Sequence, residues 1–249
     1  MTAHERLQAA RLAADEGRHA EALREYIWFQ HHALETEPSL RGVRLSFALN
    51  YWMELAAKYP QALVAIELIR DGKTDALLSG TGDLDTFRDI ESINCYLNSV
   101  PRTHALFANI ATTNPLLAQQ CAREAFPALI AAGDFALAVR FLPESKNHIR
   151  LVAETLNEDV LAVDSASESN APILQAHVYH YVREVRQVLA ILTGAGRVDE
   201  SLHTRDLALV LVQANNVREI VEDGLAATDS ELLDGSWFAA LLQRTGFPL

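Results

Sequence analysis

The chain has 249 residues, of which 49% are hydrophobic and 22% are charged, a composition that excludes a disordered or fibrous protein. Its 33 acidic and 21 basic residues give a net charge of −12, and the sequence has no basic stripe to neutralise a phosphate backbone, so we expect no nucleic-acid binding. The N-terminal residues contain no apolar signal-peptide stretch, and the longest apolar run, residues 207–212, is far shorter than the ~18 residues that cross a bilayer. We therefore expect a cytoplasmic protein that binds no membrane.

The two cysteines, Cys95 and Cys121, lie far apart in the sequence, and no CxxC pair is present. This pattern indicates neither a disulfide framework nor a structural zinc site, and it is typical of a reducing cytoplasm. We expect both thiols to fill small positions in the core rather than to act as nucleophiles.

Apolar residues recur at helical spacing in almost every segment, and no segment shows the sustained alternation of a strand. Glycine and proline residues divide the chain into pieces of helix length. These residues are Gly17, Pro38, Pro60, Gly72, Gly80, Gly82, Pro101, Pro115, Gly133, Pro143, Pro172, Gly194 and Gly196. The pattern predicts an all-α protein, in which the valine-rich segments 182–193 and 207–212 are buried helix.

The segment "EYIWFQHHALE", residues 25–35, belongs to a predicted helix over residues 19–35 with two different sides. Successive residues are separated by about 100° around a helix axis, which predicts one apolar face for the core. This face contains Ala22, Tyr26, Phe29 and Ala33. Trp28 falls on the opposite side, and its neighbours there are Arg24, His31, His32 and Glu35.

The next segment, residues 43–59, is predicted to form a helix with the same division. Its core face contains Leu45, Ala48, Leu49, Trp52, Leu55 and Ala56. Its reverse face contains Arg44, Phe47, Tyr51, Glu54 and Lys58. Two consecutive helices therefore each carry aromatic and charged residues away from the core.

Residue types of this kind dominate protein interfaces, and helical-hairpin arrays often bind peptides in a groove between successive helices. The candidate partner-binding residues are Arg24, Trp28, His32, Arg44, Phe47 and Tyr51. The alternative is that these aromatic residues pack against a third helix of the same chain, since helices in such arrays often have two or three buried sides.

No catalytic motif is present. The stretch "SGTGDLDTF", residues 79–87, lacks the GK[ST] of a phosphate loop, and we interpret it as a turn in which Asp83 or Asp85 caps the next helix. The motifs HExxH and GxSxG are also absent. The sequence does not argue for an enzyme.

Helix boundaries can be predicted for the segment 114–133. Asn114 is expected to cap a helix, Pro115 suits its first turn, and Gly133 suits its C-terminal end. Pro127 is expected to kink this helix or to divide it in two.

The segment "HVYHYVRE", residues 177–184, is the best candidate for a metal site, although a partly exposed polar flank is the simpler interpretation. His177, His180 and Glu184 follow one flank of a predicted helix at positions i, i+3 and i+7. Imidazole and carboxylate ligands suit zinc or iron, and metal sites of helix bundles use a Glu-x-x-His spacing. Here that order is reversed, and no second helix offers a matching pair, so we predict no bound metal and no other cofactor.

Three short stretches resemble one another: "EGRHAEALREY" (16–26), "AGDFALAVRFL" (132–142) and "AGRVDESLHTR" (195–205). Each has a glycine followed five residues later by a small residue and then an aliphatic one. These residues are Gly17, Ala22 and Leu23; Gly133, Ala138 and Val139; and Gly196, Ser201 and Leu202. We expect each glycine to close one helix and each small residue to let the next helix pack closely.

This pattern resembles the turn between the helices of tetratricopeptide repeats, in which an aromatic residue follows the small residue by four, as Tyr26 follows Ala22. Residues 7–38 match best, with Pro38 at the end of the unit. The N-terminal part of the chain is also similar to a group of uncharacterised bacterial proteins, a resemblance that implies no activity. The tetratricopeptide resemblance implies a right-handed superhelical array of antiparallel helical hairpins, an α-solenoid with irregular repeats.

We therefore expect one helical-repeat domain over residues 1–249, with about six hairpins and a soft junction near residues 73–82. The expected function is a non-catalytic scaffold or adaptor that binds a protein or peptide. One alternative is a metal- or small-ligand-binding helical enzyme. Another is an acidic inhibitor or immunity-type protein, since residues 143–249 carry sixteen acidic and eight basic residues. The sequence does not indicate an oligomeric state.

Overall fold

The computed structural model describes residues 1–163 and 171–234. These residues form fourteen α-helices and one 3₁₀ turn and contain no strand, which confirms the all-α prediction. No helix among them combines the length and the apolarity that a membrane span requires. The chain divides into two compact units, and the boundary lies between Ala132 and Gly133.

The first unit, Met1–Ala132, contains eight α-helices. They are α1 (Ala3–Asp15), α2 (His19–Thr36), α3 (Arg41–Leu45), α4 (Phe47–Ala56), α5 (Pro60–Leu78), α6 (Leu84–Tyr96), α7 (Val100–Thr113) and α8 (Pro115–Ala131), with the 3₁₀ turn Pro38–Leu40 between α2 and α3. Neighbouring helices pack on each other from α4 to α8, and α6 also packs on α8. The interval 73–82 lies inside this unit, where it comprises the end of α5 and the turn to α6.

The second unit begins at Gly133 and contains six helices in its described residues. They are α9 (Phe135–Phe141), α10 (Ser145–Ala162), α11 (Ala171–Gly194), α12 (Val198–Leu211), α13 (Asn215–Ala226) and α14 (Asp229–Asp234). Helix α11 is central, because it packs against α9, α10, α12 and α13. The single domain over residues 1–249 and the superhelical arrangement of the hairpins stay predictions.

The three related stretches all form turns between helices, as expected. Their glycines have positive φ angles, +79° at Gly17, +69° at Gly133 and +77° at Gly196, a region that L-residues with a Cβ atom rarely adopt. At the first turn, the N–H of Arg18 donates to the carbonyl of Ala13 over 2.8 Å and closes α1. The small residues Ala22, Ala138 and Ser201 are buried, which confirms their role in close helix packing.

Two helix starts have the predicted caps. The backbone N–H of Leu117 donates to the side chain of Asn114 over 3.1 Å at the start of α8, and the N–H of Thr86 donates to Asp83 over 2.9 Å at the start of α6. The possibility that Pro127 divides its segment in two is wrong, because α8 is one helix that contains Pro127.

The core of the first unit contains the apolar faces predicted for α2 and α4. The rings of Tyr26 and Trp52 stack with their centroids 5.9 Å apart, and the indole N–H of Trp52 donates to the carbonyl of Ala62 over 2.8 Å. This bond gives the polar atom of a fully buried tryptophan its partner. It also links α4 to the start of α5.

The second unit has its own core around α11. Tyr181 is buried there, and its hydroxyl donates to the carbonyl of Ala208 on α12 over 2.8 Å. Gly194 at the end of α11 lies directly against α9, since a Cβ atom at this position would be 2.3 Å from Cγ of Phe135. The last turn of α11 therefore requires the absence of a side chain.

We expect Gly194→Ala to lower the free energy of unfolding by about 1–3 kcal/mol, because the added methyl group overlaps the ring of Phe135. Urea denaturation followed by circular dichroism measures this loss. Gly42→Ala is the matched control, because a Cβ atom at Gly42 would meet nothing within 4 Å. Equal denaturation midpoints for the two variants would contradict the packing of α11 on α9.

Candidate binding surface

Helix α1 places an arginine over each of the two aromatic residues that the sequence singled out. The guanidinium carbon of Arg6 lies 4.0 Å from the ring centroid of Trp28, and that of Arg11 lies 4.0 Å from the ring centroid of Tyr51. These distances are typical of cation–π contacts. Both aromatic rings are thus partly covered by the same chain, and both remain half-exposed.

The α2 surface consists of Arg24, Trp28 and His32 on α2 together with Arg6 on α1. The rings of Trp28 and His32 have centroids 5.5 Å apart. Arg6 is held over the indole by a hydrogen bond of 3.0 Å from its Nη1 to Glu25. Three of the six predicted binding residues are therefore placed on one side of α2, as the helical spacing indicated.

The α4 surface consists of Phe47, Tyr51 and Glu54 on α4, Lys58 in the turn that follows α4, and Arg11 on α1. Phe47 is 62% exposed. A shallow crevice beside Tyr51 is lined by Arg11, Ala14, Asp15, Tyr26, Tyr51, Glu54, Leu55 and Lys58. Burial raises the pKa of the Tyr26 hydroxyl above its ordinary value, so this phenol stays neutral at the wall of a crevice that contains two acidic and two basic side chains.

The α2 and α4 surfaces lie on different sides of α2, so the predicted binding residues do not form one groove. Tyr26 lines the crevice together with Tyr51. Trp28 follows Tyr26 by two residues and therefore projects about 200° away from it around the helix axis. Trp28 and Tyr51 therefore lie on different sides of α2, and partner binding by the candidate residues stays a prediction.

Arg44 does not belong to either surface, which corrects its prediction as an exposed binding residue. It is only 5% exposed, and its guanidinium forms a two-bond contact with the carboxylate of Asp89 on α6. Lys73 on α5 reaches the same carboxylate over 2.7 Å, and Nη1 of Arg44 also donates to the carbonyl of Gln30 over 3.1 Å. We call Arg44, Lys73 and Asp89 the charged cluster.

A break in the helix explains why Arg44 points inward. The sequence predicted one helix over residues 43–59, whereas α3 ends at Leu45 and α4 begins at Phe47. Ser46 between them has non-helical dihedral angles, φ −131° and ψ −90°. The turn changes the direction of the chain, so Arg44 no longer shares a face with Phe47 and Tyr51.

His31 lies near the charged cluster. Although the residue is exposed to solvent, partial burial of its ring lowers the pKa of His31, and the positive charges of Lys73, His32 and Arg44 lower it further, against an opposing effect of Asp89. The ring is therefore harder to protonate in the folded protein than in the unfolded chain.

The structure does not bring the metal candidates of the second unit together. His177 pairs with Asp159 on α10, with 2.8 Å between Nδ1 and Oδ2, whereas Glu184 is buried and lies 3.4 Å from Nε2 of His148. His180 is exposed on the same helix. Across residues 1–163 and 171–234, no group of three His, Cys, Asp or Glu side chains is arranged to hold a metal ion.

The two cysteines differ from each other. Cys121 is buried in α8, as expected, and burial raises the pKa of its thiol to about 12. This thiol stays protonated at neutral pH, so it is a weak nucleophile. Cys95 is exposed, and the prediction that it fills a core position is wrong.

Several side chains of the site carry no local sequence signal. Arg6 and Arg11 are five residues apart on α1, which directs them about 140° apart around the axis, one toward α2 and the other toward α4. Asp89 meets Arg44 across 45 residues of sequence. The inward-facing position of Asp89 on α6, between the core residues Phe87 and Ile90, is the one pattern that could have indicated a buried acid in need of a partner.

No family model, no curated protein and no solved structure matches this chain.

We expect Asp89→Ala to lower the free energy of unfolding by about 3–5 kcal/mol, because it leaves the buried charge of Arg44 without its partner. Asp85→Ala on the same helix is the matched control. Asp85 pairs with Arg41 and Arg88 at the surface, and exposed pairs of this kind contribute at most about 1 kcal/mol. Similar losses in the two variants, measured by urea denaturation, would contradict the importance of the charged cluster.

We expect the pKa of His31 in the folded protein, measured by NMR titration of its ring protons, to lie below the ordinary value of about 6.5. The unfolded chain then binds more protons than the folded one, so this residue lowers stability as the pH falls from about 6.5 toward the folded pKa. Lys73→Gln should raise the pKa of His31, since it removes one of the repelling charges. An unchanged titration in this variant would contradict the proximity of His31 to the charged cluster.

Proposed function

We propose that this chain is a non-catalytic scaffold that binds a protein or peptide through the α4 surface. The proposal is based on the exposure of Phe47, an aromatic side chain that is 62% accessible to solvent. Phe47 lies one helical turn before Tyr51, which contacts Arg11. Aromatic residues and arginine contribute most of the binding energy at protein interfaces. The side chains needed for such a contact are therefore already grouped at the surface.

The α4 surface is also held in place before any partner arrives. Arg11 lies over Tyr51, and the amide of Asn50 donates to Glu54 over 2.8 Å. The next helical turn packs Trp52 and Leu55 into the core, which limits movement of α4. Binding to an ordered surface loses less conformational entropy than binding to a mobile one.

The charges around the crevice favour a polypeptide as the partner. Arg11 and Lys58 face the same crevice as Asp15 and Glu54, so neither sign of charge dominates. A surface for a polyanion needs a predominance of basic side chains. Mixed charges beside aromatic rings match the mixture of amide dipoles, apolar groups and charged groups that a peptide presents.

The arrangement of the helical hairpins and the cellular location of the protein are part of the same proposal. We infer that the hairpins form a right-handed superhelical, tetratricopeptide-like array, which the repeated glycine turns and the packing of α10 on α12 and α11 on α13 support. The free thiols Cys95 and Cys121 support a cytoplasmic location, where cysteines stay reduced.

The metal-dependent enzyme has less support from the described residues, because His177 and Glu184 are engaged with different partners.

The acidic inhibitor differs from the scaffold in the salt dependence of its binding. Binding through aromatic anchors tolerates salt, whereas binding through net charge weakens steeply as ionic strength rises.

We expect the double variant Phe47→Ala, Tyr51→Ala to lose a partner that the wild-type chain captures from a lysate of the source cells. The expected loss in affinity is about 30-fold or more, the size typical of interface hot spots. The melting temperature should fall by only a few degrees, because Phe47 is exposed and the contact of Tyr51 with Arg11 contributes about 0.5–1 kcal/mol.

Trp28→Ala is the matched control, since it removes the equivalent aromatic ring from the α2 surface and leaves α4 intact. Capture should survive this substitution and should also survive about 0.5 M salt, at which charges more than a few ångströms apart are screened. Loss of the partner with Trp28→Ala but not with the double variant would place the contact on α2. Loss in salt alone would favour the acidic inhibitor.

A further inference from the structure

The outer side of α5 has aliphatic side chains where a surface helix normally has polar ones. Val64 is 54% exposed and Leu68 is 66% exposed. These residues are four apart, so they are neighbours on one side of the helix. Ala62, Ile66 and Leu77 occupy the opposite, buried side, which means that the core does not account for Val64 and Leu68.

Gly72 occupies the next position on the same outer side. A glycine inside a helix is destabilising relative to alanine, so it normally has a local reason. Here its φ angle is not in the positive range, and a Cβ atom would meet nothing within 4 Å. Nothing in the described chain therefore requires glycine at this position.

Close approach of another helix is a packing reason for glycine at a position of this kind. The side chains of Val64 and Leu68 form a ridge along the helix, and the absence of a side chain at Gly72 leaves a notch at the end of this ridge. A notch of this kind lets a second helix approach closely. From Val64 to Asp75 the outer side spans eleven helical steps of 1.5 Å, about 16 Å or three turns. This length is enough to pack against a short amphipathic helix.

The charges along this side indicate what such a helix carries. Glu67 lies beside the aliphatic residues, Asp75 lies on the same side one turn or two beyond them, and neither forms an ion pair among the described residues. Asp71, also on this side, pairs with Arg70 and Arg102. Two acidic side chains beside an apolar strip therefore remain available. Basic side chains at the edges of an incoming helix would complement them.

We propose that the α5 surface, defined as Val64, Glu67, Leu68, Gly72 and Asp75, is a docking site for an amphipathic helix of a partner protein with Lys or Arg residues beside its apolar stripe. The site goes beyond the contact proposed for α4, because it lies on another helix and uses aliphatic rather than aromatic anchors. A second copy of the chain is a poorer occupant, since two α5 surfaces would bring like charges together. An anionic membrane surface would repel the same acids.

A displayed library of 18-residue helices tests the proposal. Each member has a fixed leucine stripe at positions i, i+3, i+4 and i+7, and each flanking position encodes either Lys or Glu. Selection on the wild-type chain should enrich Lys at the flanks. The synthetic form of an enriched peptide should bind Leu68→Glu at least 10-fold more weakly than wild type, as measured by calorimetry.

Gly72→Ala supplies the sharpest test because its two expected effects have opposite signs. It should raise the melting temperature of the free protein by about 2–4 °C, since alanine is the better helix former. It should also weaken binding of the enriched peptide several-fold, because the methyl group fills the notch. Equal or tighter binding by Gly72→Ala would overturn the role of this glycine and with it the proposed packing.

Two control variants separate this site from others. Leu202→Glu replaces a leucine on α12 that is 58% exposed, and the double variant Phe47→Ala, Tyr51→Ala disables the α4 surface. Both should bind the enriched peptide as wild type does, so the α5 proposal and the α4 proposal can fail independently.

Three results of the selection would overturn the α5 proposal: no binder is found, Glu is enriched at the flanks, or the enriched peptide binds Leu68→Glu as tightly as wild type. A dimer detected by sedimentation and abolished by Leu68→Glu overturns it in favour of self-association.

Discussion

A buried cluster of charges connects four helices of the first unit. Arg44 from α3 and Lys73 from α5 share the carboxylate of Asp89 on α6, and Arg44 also donates to a carbonyl of α2. A buried charge without a partner is strongly destabilising, so each of these side chains depends on the others to occupy its position. The pair of Arg44 with Asp89 joins residues 45 apart in the sequence and holds α3 against its neighbours.

The direction of α4 follows from that arrangement. The turn at Ser46 lets Arg44 pair with Asp89, and the chain then starts a new helix whose inner side contains Trp52, stacked on Tyr26. The opposite side then presents Phe47 to solvent and Tyr51 to Arg11. Burial of one aromatic residue and exposure of another on the same short helix are thus two results of one constraint, and the exposed one is the basis of the binding proposal.

Local periodicity was sufficient to predict the helices and most of their core faces. Tyr26, Phe29 and Trp52 are buried as their spacing indicated, and the glycine turns at Gly17 and Gly196 are present. The candidate site was harder to predict because it depends on contacts between distant segments. A single non-helical residue, Ser46, invalidated the assignment of Arg44, and no rule of local propensity marks a serine at this position as a break. The arginines of α1 that cover Trp28 and Tyr51 carry no local signal of this role, since it depends on which helix packs beside them.

We propose that the side of α4 containing Phe47 is a contact surface for another polypeptide. Site-specific photo-crosslinking in the source cells tests it most directly, with p-benzoylphenylalanine incorporated at position 47 in one version of the chain and at position 28 in another. We expect one discrete adduct with a partner polypeptide after irradiation from position 47 and none from position 28. Failure of position 47 to form an adduct, with a discrete adduct from position 28, would contradict it.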